Sequence, residues 1–264
     1  MDYKQLNIIC FSPTGGTKKI LKTIADQMSF ETTKIFDLTL SANKITENSD
    51  YSDLTVIGVP VYSGRVPSVA VDRIRKLRSS GAPAVIVAVY GNRDYDDALV
   101  ELYDLAIEIG FKPVAAAAFI AEHSFSSEAF PIAALRPDKD DLQKITTFGK
   151  QIDIKLRSGD LNLLSDDKIP GNRPYMERKP SPSFSPETEK SRCINCMKCV
   201  KICPTEAISK TDTSITNVDR CILCGACVKV CENNARVIKD PTYIKIAKRL
   251  NTYFSTRKEP ETFL

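Results

Sequence analysis

The chain has 264 residues, 42% hydrophobic and 27% charged, which suits an ordinary globular protein with one large domain and one small one. No apolar run reaches the roughly 20 residues of a membrane-spanning helix. The opening MDYKQLNIICF has no basic stretch ahead of a long apolar one, so no signal peptide is expected and the cytoplasm is the default location. The net charge of +4 is carried by the C-terminal end, where residues 187–264 hold 14 Lys and Arg against 9 Asp and Glu. Taken alone, that excess points to nucleic acid.

Over residues 1–158 the pattern alternates strand and helix. Apolar runs at 6–11, 54–59, 84–90 and 114–120 read as buried parallel strands, and a weaker run at 34–38 reads as an edge strand. Helical patterns lie between and after them at 17–28, 68–78, 96–109 and 138–156. Five strands with crossover helices on both faces predict an α/β, doubly wound, five-stranded parallel sheet. Ligands of such sheets sit outside the carboxyl ends of the strands, so the loops after the strands are the places to look.

Residues 159–186 change character. Pro170, Pro174, Pro180, Pro182 and Pro186 among few apolar residues predict an extended linker, either a tether or a strap laid over the first domain, and the need for a repeatable gap between the two halves favours the strap. Beyond 240, residues 241–256 have Tyr243, Ile246, Ala247, Leu250 and Phe254 at helical spacing. They predict a terminal helix packed on the body.

Eight of the nine cysteines fall between Cys193 and Cys231. The run Cys193-Ile-Asn-Cys196-Met-Lys-Cys199-Val-Lys-Ile-Cys203 recurs 28 residues later as Cys221-Ile-Leu-Cys224-Gly-Ala-Cys227-Val-Lys-Val-Cys231. Structural zinc sites use paired C-x2-C units rather than tandem four-cysteine runs, and disulfides do not suit a reducing compartment. C-x2-C-x2-C-x3-C is the spacing of a 4Fe–4S site, in which the fourth cysteine of each run ligates the other cluster. Cys193, Cys196, Cys199 and Cys231 are therefore expected to hold one cluster, and Cys221, Cys224, Cys227 and Cys203 the second. Two such clusters with their thiolates offset most of the basic excess, so nucleic acid is not an expected partner.

Residues 187–240, including Cys203-Pro204-Thr205-Glu206-Ala207-Ile208, resemble a bacterial two-cluster ferredoxin, a small α+β domain. The proline usual after the fourth cysteine is present at Pro204 but replaced by Glu232 in the second repeat, whose negative charge is expected to lower the potential of the first cluster.

After the first strand, Ser12-Pro13-Thr14-Gly15-Gly16-Thr17-Lys18 leads into a helix, which makes an anion site of hydroxyls and backbone N–H groups. It has neither the Walker spacing nor that of a dinucleotide fingerprint. Pro60-Val61-Tyr62-Ser63-Gly64-Arg65 and Tyr90-Gly91-Asn92-Arg93-Asp94-Tyr95 follow later strands, and their mix of aromatic, glycine and polar residues suits a flat conjugated ring. Residues 1–158 resemble a flavodoxin, and the whole chain resembles the flavodoxin–ferredoxin fusion flavoproteins of anaerobes. The resemblance implies FMN, with its phosphate on Ser12, Thr14, Gly15, Gly16 and Thr17, assisted by Lys18 or Lys19, and its ring between the loops of Tyr62 and Tyr95.

His123, the only histidine, follows the fifth strand and is either a proton donor at the flavin edge or a loop residue serving the backbone. Arg65 and Arg93 are expected on the same edge, as surface charges or as partners of an anion. Cys10, inside the first strand, reads as a core residue. The expected function is relay of electrons between two 4Fe–4S clusters and FMN, with redox proteins as partners. The alternative is a reductase with a small organic substrate over the flavin.

Overall fold

The computed structural model describes residues 4–41, 51–159, 161–180 and 183–264. The first three residues of the chain, and positions 160, 181 and 182 of the expected linker, lie outside the described residues.

Five strands form one parallel sheet: β1 (Gln5–Cys10), β2 (Thr32–Asp37), β3 (Thr55–Pro60), β4 (Pro83–Tyr90) and β5 (Lys112–Ile120), in the order β2-β1-β3-β4-β5. This is the flavodoxin-like doubly wound order, whose direction reverses between β1 and β3. Ile8 pairs with Ile35 on one side and Val56 on the other, so β1 lies inside the sheet.

Alternate side chains of the inner strands feed two cores. Ile8, Val56 and Val87 pack with Leu21 and Ile24 of α1 (Gly16–Ala25) and with Phe148 and Ile152 of α4 (Lys139–Arg157). Ile9, Ile57 and Ile86 pack on the other face with Val71 and Ile74 of α2 (Ser68–Ile74) and with Leu99 and Leu102 of α3 (Ala98–Glu108). Each such side chain, wholly buried, contributes about 1.5–3 kcal/mol. Asp138 caps α4: its carboxylate accepts the N–H groups of Asp140 and Asp141, while the Asp141 side chain returns to the Asp138 backbone.

Residues 161–180 form a strap along α3. Leu164 and Ile169 enter the core, Leu164 N–H donates to Pro113 O at 2.9 Å, and Tyr103 Oη donates to Leu164 O at 3.0 Å. Asp97 accepts from Asn172 N–H at 2.8 Å and Met176 N–H at 2.6 Å, and Arg173 pairs with Asp104.

In the cysteine segment, β6 (Glu187–Thr188) pairs antiparallel with β7 (Arg236–Val237), enclosing the short helices α5 (Lys198–Ile202) and α6 (Ala226–Lys229). The repeat persists in the backbone. Asn195, Met197 and Glu206 have positive φ, and so do Leu223, Gly225 and Asn234, each 28 positions on. After it, α7 (Pro241–Tyr253), capped by Asp240, puts the Tyr243 ring 4.7 Å from that of Phe125. No described helix is long and apolar enough to cross a membrane.

One strand of the large sheet has no counterpart in the sequence pattern. The tail returns to the large sheet as β8 (Glu261–Phe263), antiparallel to β5, pairing Ala116 with Phe263 and Ala118 with Glu261. Three residues are too few to show an alternating pattern, and pairing covers the groups that β5 would otherwise leave open.

Candidate cofactor sites

The loop between β1 and α1 runs from a buried serine to an open glycine turn at the start of the helix. Ser12 is buried, its N–H donating to Thr39 Oγ1 at 2.8 Å and its Oγ accepting the Lys18 N–H at 3.0 Å. Gly15 has φ 86°, a left-handed conformation that a side chain would strain, and the space beside it is open. Thr14 and Gly15 are exposed, Thr17 is buried, and no acid stands in the first turn of α1. The first N–H groups of a helix lack intrahelical acceptors, so the amides at the start of α1 give a positive potential beside the open Gly15. Lys18 is already committed: its Nζ lies 2.9 Å from Asp37 Oδ2, a bond that holds the ammonium above its ordinary value.

The ring loops divide. Pro60, Val61 and Tyr62 are half-buried at the end of β3, and Ser63-Gly64 form a two-residue turn, with Tyr62 N–H donating to Arg65 O at 2.9 Å. Burial, then the Cys224 thiol, pushes the Tyr62 phenol well up. Arg65, expected on the cofactor edge, is instead a buried tie. It bonds both oxygens of Glu101 at 2.8 and 2.9 Å, donates to Met176 O at 2.5 Å and lies over the Tyr175 ring. Asn92 is also withdrawn, its amide donating to Phe254 O and Thr256 O at 2.6 and 2.8 Å and its oxygen accepting Lys258 N–H at 3.0 Å. Tyr90 and Tyr95 pack edge-on in the core, and Tyr95 Oη donates to Glu261 at 2.9 Å. The strap and the tail claim the polar ends of Arg65, Asn92 and Tyr95, and neither was visible as a partner in the sequence.

Gly91, Arg93 and His123 remain. A Cβ on Gly91 would overlap the His123 ring, so the glycine admits the imidazole. Arg93 pairs with Asp96. His123 Nδ1 accepts the Phe125 N–H at 2.9 Å. Burial, then the charges of Arg93 and Lys229, lower its pKa to about 4. The ring is therefore neutral at physiological pH, with its proton on Nε2. Cys10 is a core thiol that burial, then Asp37, pushes up to about 12.

The eight cysteines sort into two cavities. One is lined by Cys193, Cys196, Cys199 and Cys231, and the other by Cys203, Cys221, Cys224 and Cys227. These are the two sets expected from the spacing. Among the described residues no group of three or more His, Cys, Asp and Glu side chains is placed to hold a single metal ion. Ala207 N–H donates to Cys203 Sγ at 3.3 Å and Ala235 N–H to Cys231 Sγ at 3.2 Å, the same bond in each repeat. Glu232 is exposed and pairs with Lys198 at 2.5 Å, which offsets the charge expected to lower a potential.

The two cavities face different surroundings. The Cys203 group is turned to the carboxyl edge of the sheet: a Cβ on Gly225 would stand 2.8 Å from Ser124 O. Lys229 Nζ reaches Glu122 at 2.5 Å and Ser126 O at 3.1 Å, and Arg73 donates to Pro204 O at 2.6 Å. The Cys193 group is outward, with Cys196 exposed and Ile194 71% exposed. Thr39, Asp37, Ser124 and Gly225 had no part in the sequence reading. The rule that ligands gather at strand carboxyl ends, applied to the loop after β2, leads to Thr39.

Residues 192–237 match the family model of a 4Fe-4S dicluster domain. No curated protein matches the chain. Among solved structures, a flavodoxin from the domain Archaea is 12% identical, covering 58% of this chain and 99% of its own, with a TM-score of 0.39. A flavodoxin of Streptococcus pneumonia TIGR4 is 15% identical, with 57% and 99% covered and a TM-score of 0.40. The rubredoxin oxygen:oxidoreductase of the anaerobe Desulfovibrio gigas is 16% identical over 59% of this chain and 36% of its own, with a TM-score of 0.43. The strand order of the sheet and the matched dicluster segment together fit a flavodoxin–ferredoxin fusion. The chain thus joins a flavodoxin-like α/β fold to a segment that matches a 4Fe-4S dicluster domain.

Proposed function

We propose that this chain relays electrons between two 4Fe–4S clusters and FMN bound at the carboxyl edge of the sheet. The observation that carries the reading is the sorting of eight cysteines into two cavities, one against that edge and one facing outward. When bound, the clusters exchange single electrons and FMN converts between one- and two-electron steps.

The residues divide the work. Cys193, Cys196, Cys199 and Cys231 would hold the outer cluster, and Cys203, Cys221, Cys224 and Cys227 the inner one. Ser12, Thr14, Gly15, Gly16 and Thr17 would hold the phosphate. Pro60, Val61, Tyr62 and Ser63 on one loop and Gly91 and Arg93 on the other would flank the ring. Gly225 lets the inner cavity approach the loop after β5, and buried Leu223 and Ala226 keep water from it. His123 keeps a neutral Nε2–H donor beside Gly91.

The contacts of Gly225, Lys229 and Pro204 cover the sheet edge with the cysteine segment. That cover favours a relay serving redox partner proteins over a reductase with its own organic substrate. The test is anaerobic reconstitution of the full chain, with iron, sulfide and extracted flavin measured per chain. About eight irons with FMN are expected. About four irons, or no flavin retained, would overturn the reading.

A further inference from the structure

Arg236 has no role in the expectations above. It lies on β7, is 2% exposed, and is the one residue common to the linings of both cysteine cavities. Its Nη1 donates to Thr188 Oγ1 at 2.7 Å and Thr213 O at 3.1 Å. Its Nη2 donates to Pro186 O at 2.8 Å and Thr216 Oγ1 at 3.0 Å and lies 4.0 Å from Cys227 Sγ. All four oxygen partners are neutral. Arg236 Nε is the single buried side-chain nitrogen or oxygen among the described residues that has no hydrogen-bond partner.

The internal repeat supplies a control. Twenty-eight positions earlier stands Ile208, 3% exposed. An apolar side chain therefore satisfies this position in one half of the segment. A buried guanidinium in the other half carries a desolvation cost of several kcal/mol unless an anion compensates it. Neutral carbonyls and hydroxyls could staple β6 to β7 with an uncharged donor. They explain neither the charge nor the orphaned Nε. The charge borders thiols on both sides, since the guanidinium lines both cysteine cavities and lies 4.0 Å from Cys227 Sγ.

We propose that Arg236 is a buried positioning residue and shared counter-cation for both clusters, raising the reduction potential of each. The proposal rests on the reading of the eight cysteines as ligands of two 4Fe–4S clusters. A cluster with four thiolates carries about −2 when oxidised and about −3 once it has taken one electron from a low-potential donor. No bond forms or breaks in that step. A fixed cation in a low-dielectric wall stabilises the more negative state more strongly, which moves the potential upward.

The experiment uses the full chain, reconstituted anaerobically, as wild type, Arg236→Lys and Arg236→Ile, the last copying the first repeat. Iron and sulfide per chain are measured first. A wild type with fewer than two clusters overturns the reading and the proposal with it. Midpoint potentials then follow from dithionite titration monitored by EPR. In Arg236→Ile, with clusters intact, both potentials are expected to fall by at least a tenfold change in the oxidised-to-reduced ratio, 59 mV for a one-electron couple. Arg236→Lys should keep most of the wild-type value. Unchanged potentials, with or without a fall in thermal stability, overturn the proposal while leaving the cluster reading intact. So does a fall at one cluster only, or an equal fall in the lysine variant. If Arg236→Ile cannot hold its clusters, wild type labelled with 15N in the arginine guanidino group decides. The reduced inner cluster should show 15N hyperfine coupling, since Arg236 is the only arginine lining its cavity, and absence of coupling overturns the proposal.

Discussion

Between β1 and β5 the chain buries large side chains on both faces of the sheet, among them Leu6, Ile8, Ile9, Phe11, Ile57 and Phe119. In residues 187–237 the buried apolar side chains come down to Ala207, Ile208, Leu223, Ala226 and Ala235, with Cys224 and Cys227. The first region can stand on its own core. The second is too small for that, and domains of this size need ligands or outside ties. Those ties are visible: the tail strand on β5, the Asn92 bonds to residues 254, 256 and 258, and the Gly225 and Lys229 contacts with the loop after β5. A region with a core of its own is thus joined to a small segment that leans on ties to it.

The largest effect expected from this contrast is removal of iron. Chelation of both clusters should raise hydrogen exchange throughout 187–237 while β1, β3 and β4 keep their protection. Cys224→Ser should remove about half of the iron. Equal protection of the two regions without iron would break the comparison.

Next comes the tail. Asn92→Ala leaves the carbonyls of Phe254 and Thr256 without their donor, and should cost about 2–3 kcal/mol in denaturant unfolding. Limited proteolysis should then cut between 254 and 260. A variant as stable and as resistant as wild type would show that the tail does not tie the segment down.

A smaller effect separates the two repeats. Gly225 has φ 73° and faces Ser124 O, whereas its counterpart Met197 has φ 62° in the outward half. Gly225→Ala should cost about 1–3 kcal/mol, combining left-handed strain with overpacking. Met197→Gly should gain about 1 kcal/mol by relieving the same strain. Equal and opposite changes at the two sites would mean that contact with the sheet adds nothing at Gly225.

His123 sharpens the junction by pH. Its folded pKa of about 4 lies below the ordinary 6.5, so the unfolded chain takes up the proton first as pH falls. The stability due to the neutral ring is present above 6.5 and is lost as pH falls towards 4. As the only histidine, it should show no imidazole NMR titration between pH 8 and 5. A midpoint above 6 would refute a buried neutral ring.

The smallest change is expected at Glu232. Because Lys198 pairs with it at 2.5 Å on an exposed surface, Glu232→Gln should barely move the outer cluster's potential. Lys198→Ala should lower it slightly. A large rise in Glu232→Gln would restore the effect that the sequence alone suggested.

Much of this was legible residue by residue. The five strand runs, the four long helices and the cysteine spacing stood in the sequence because hydrophobic period and ligand spacing are local patterns. The loops at the carboxyl edge of the sheet were legible in outline only. Arg65, Asn92 and Tyr95 share the composition of ring-binding loops, but their polar ends bond residues 101, 254 and 261. A side chain's composition does not say which distant partner will claim it.

By itself the sequence determined the parallel sheet, the glycine turn that opens a helix after β1 and the grouping of eight cysteines into two runs of four, since each follows from spacing along one stretch of chain. Only the tertiary structure decided which cysteine cavity faces the sheet, which loop residues stay free for a cofactor, and that Arg236 lies between the cavities. Those facts depend on contacts such as Asn92 with Phe254, 162 positions apart. No local pattern encodes them, because they exist only once both cores have closed and the strap and tail have found the surfaces they cover.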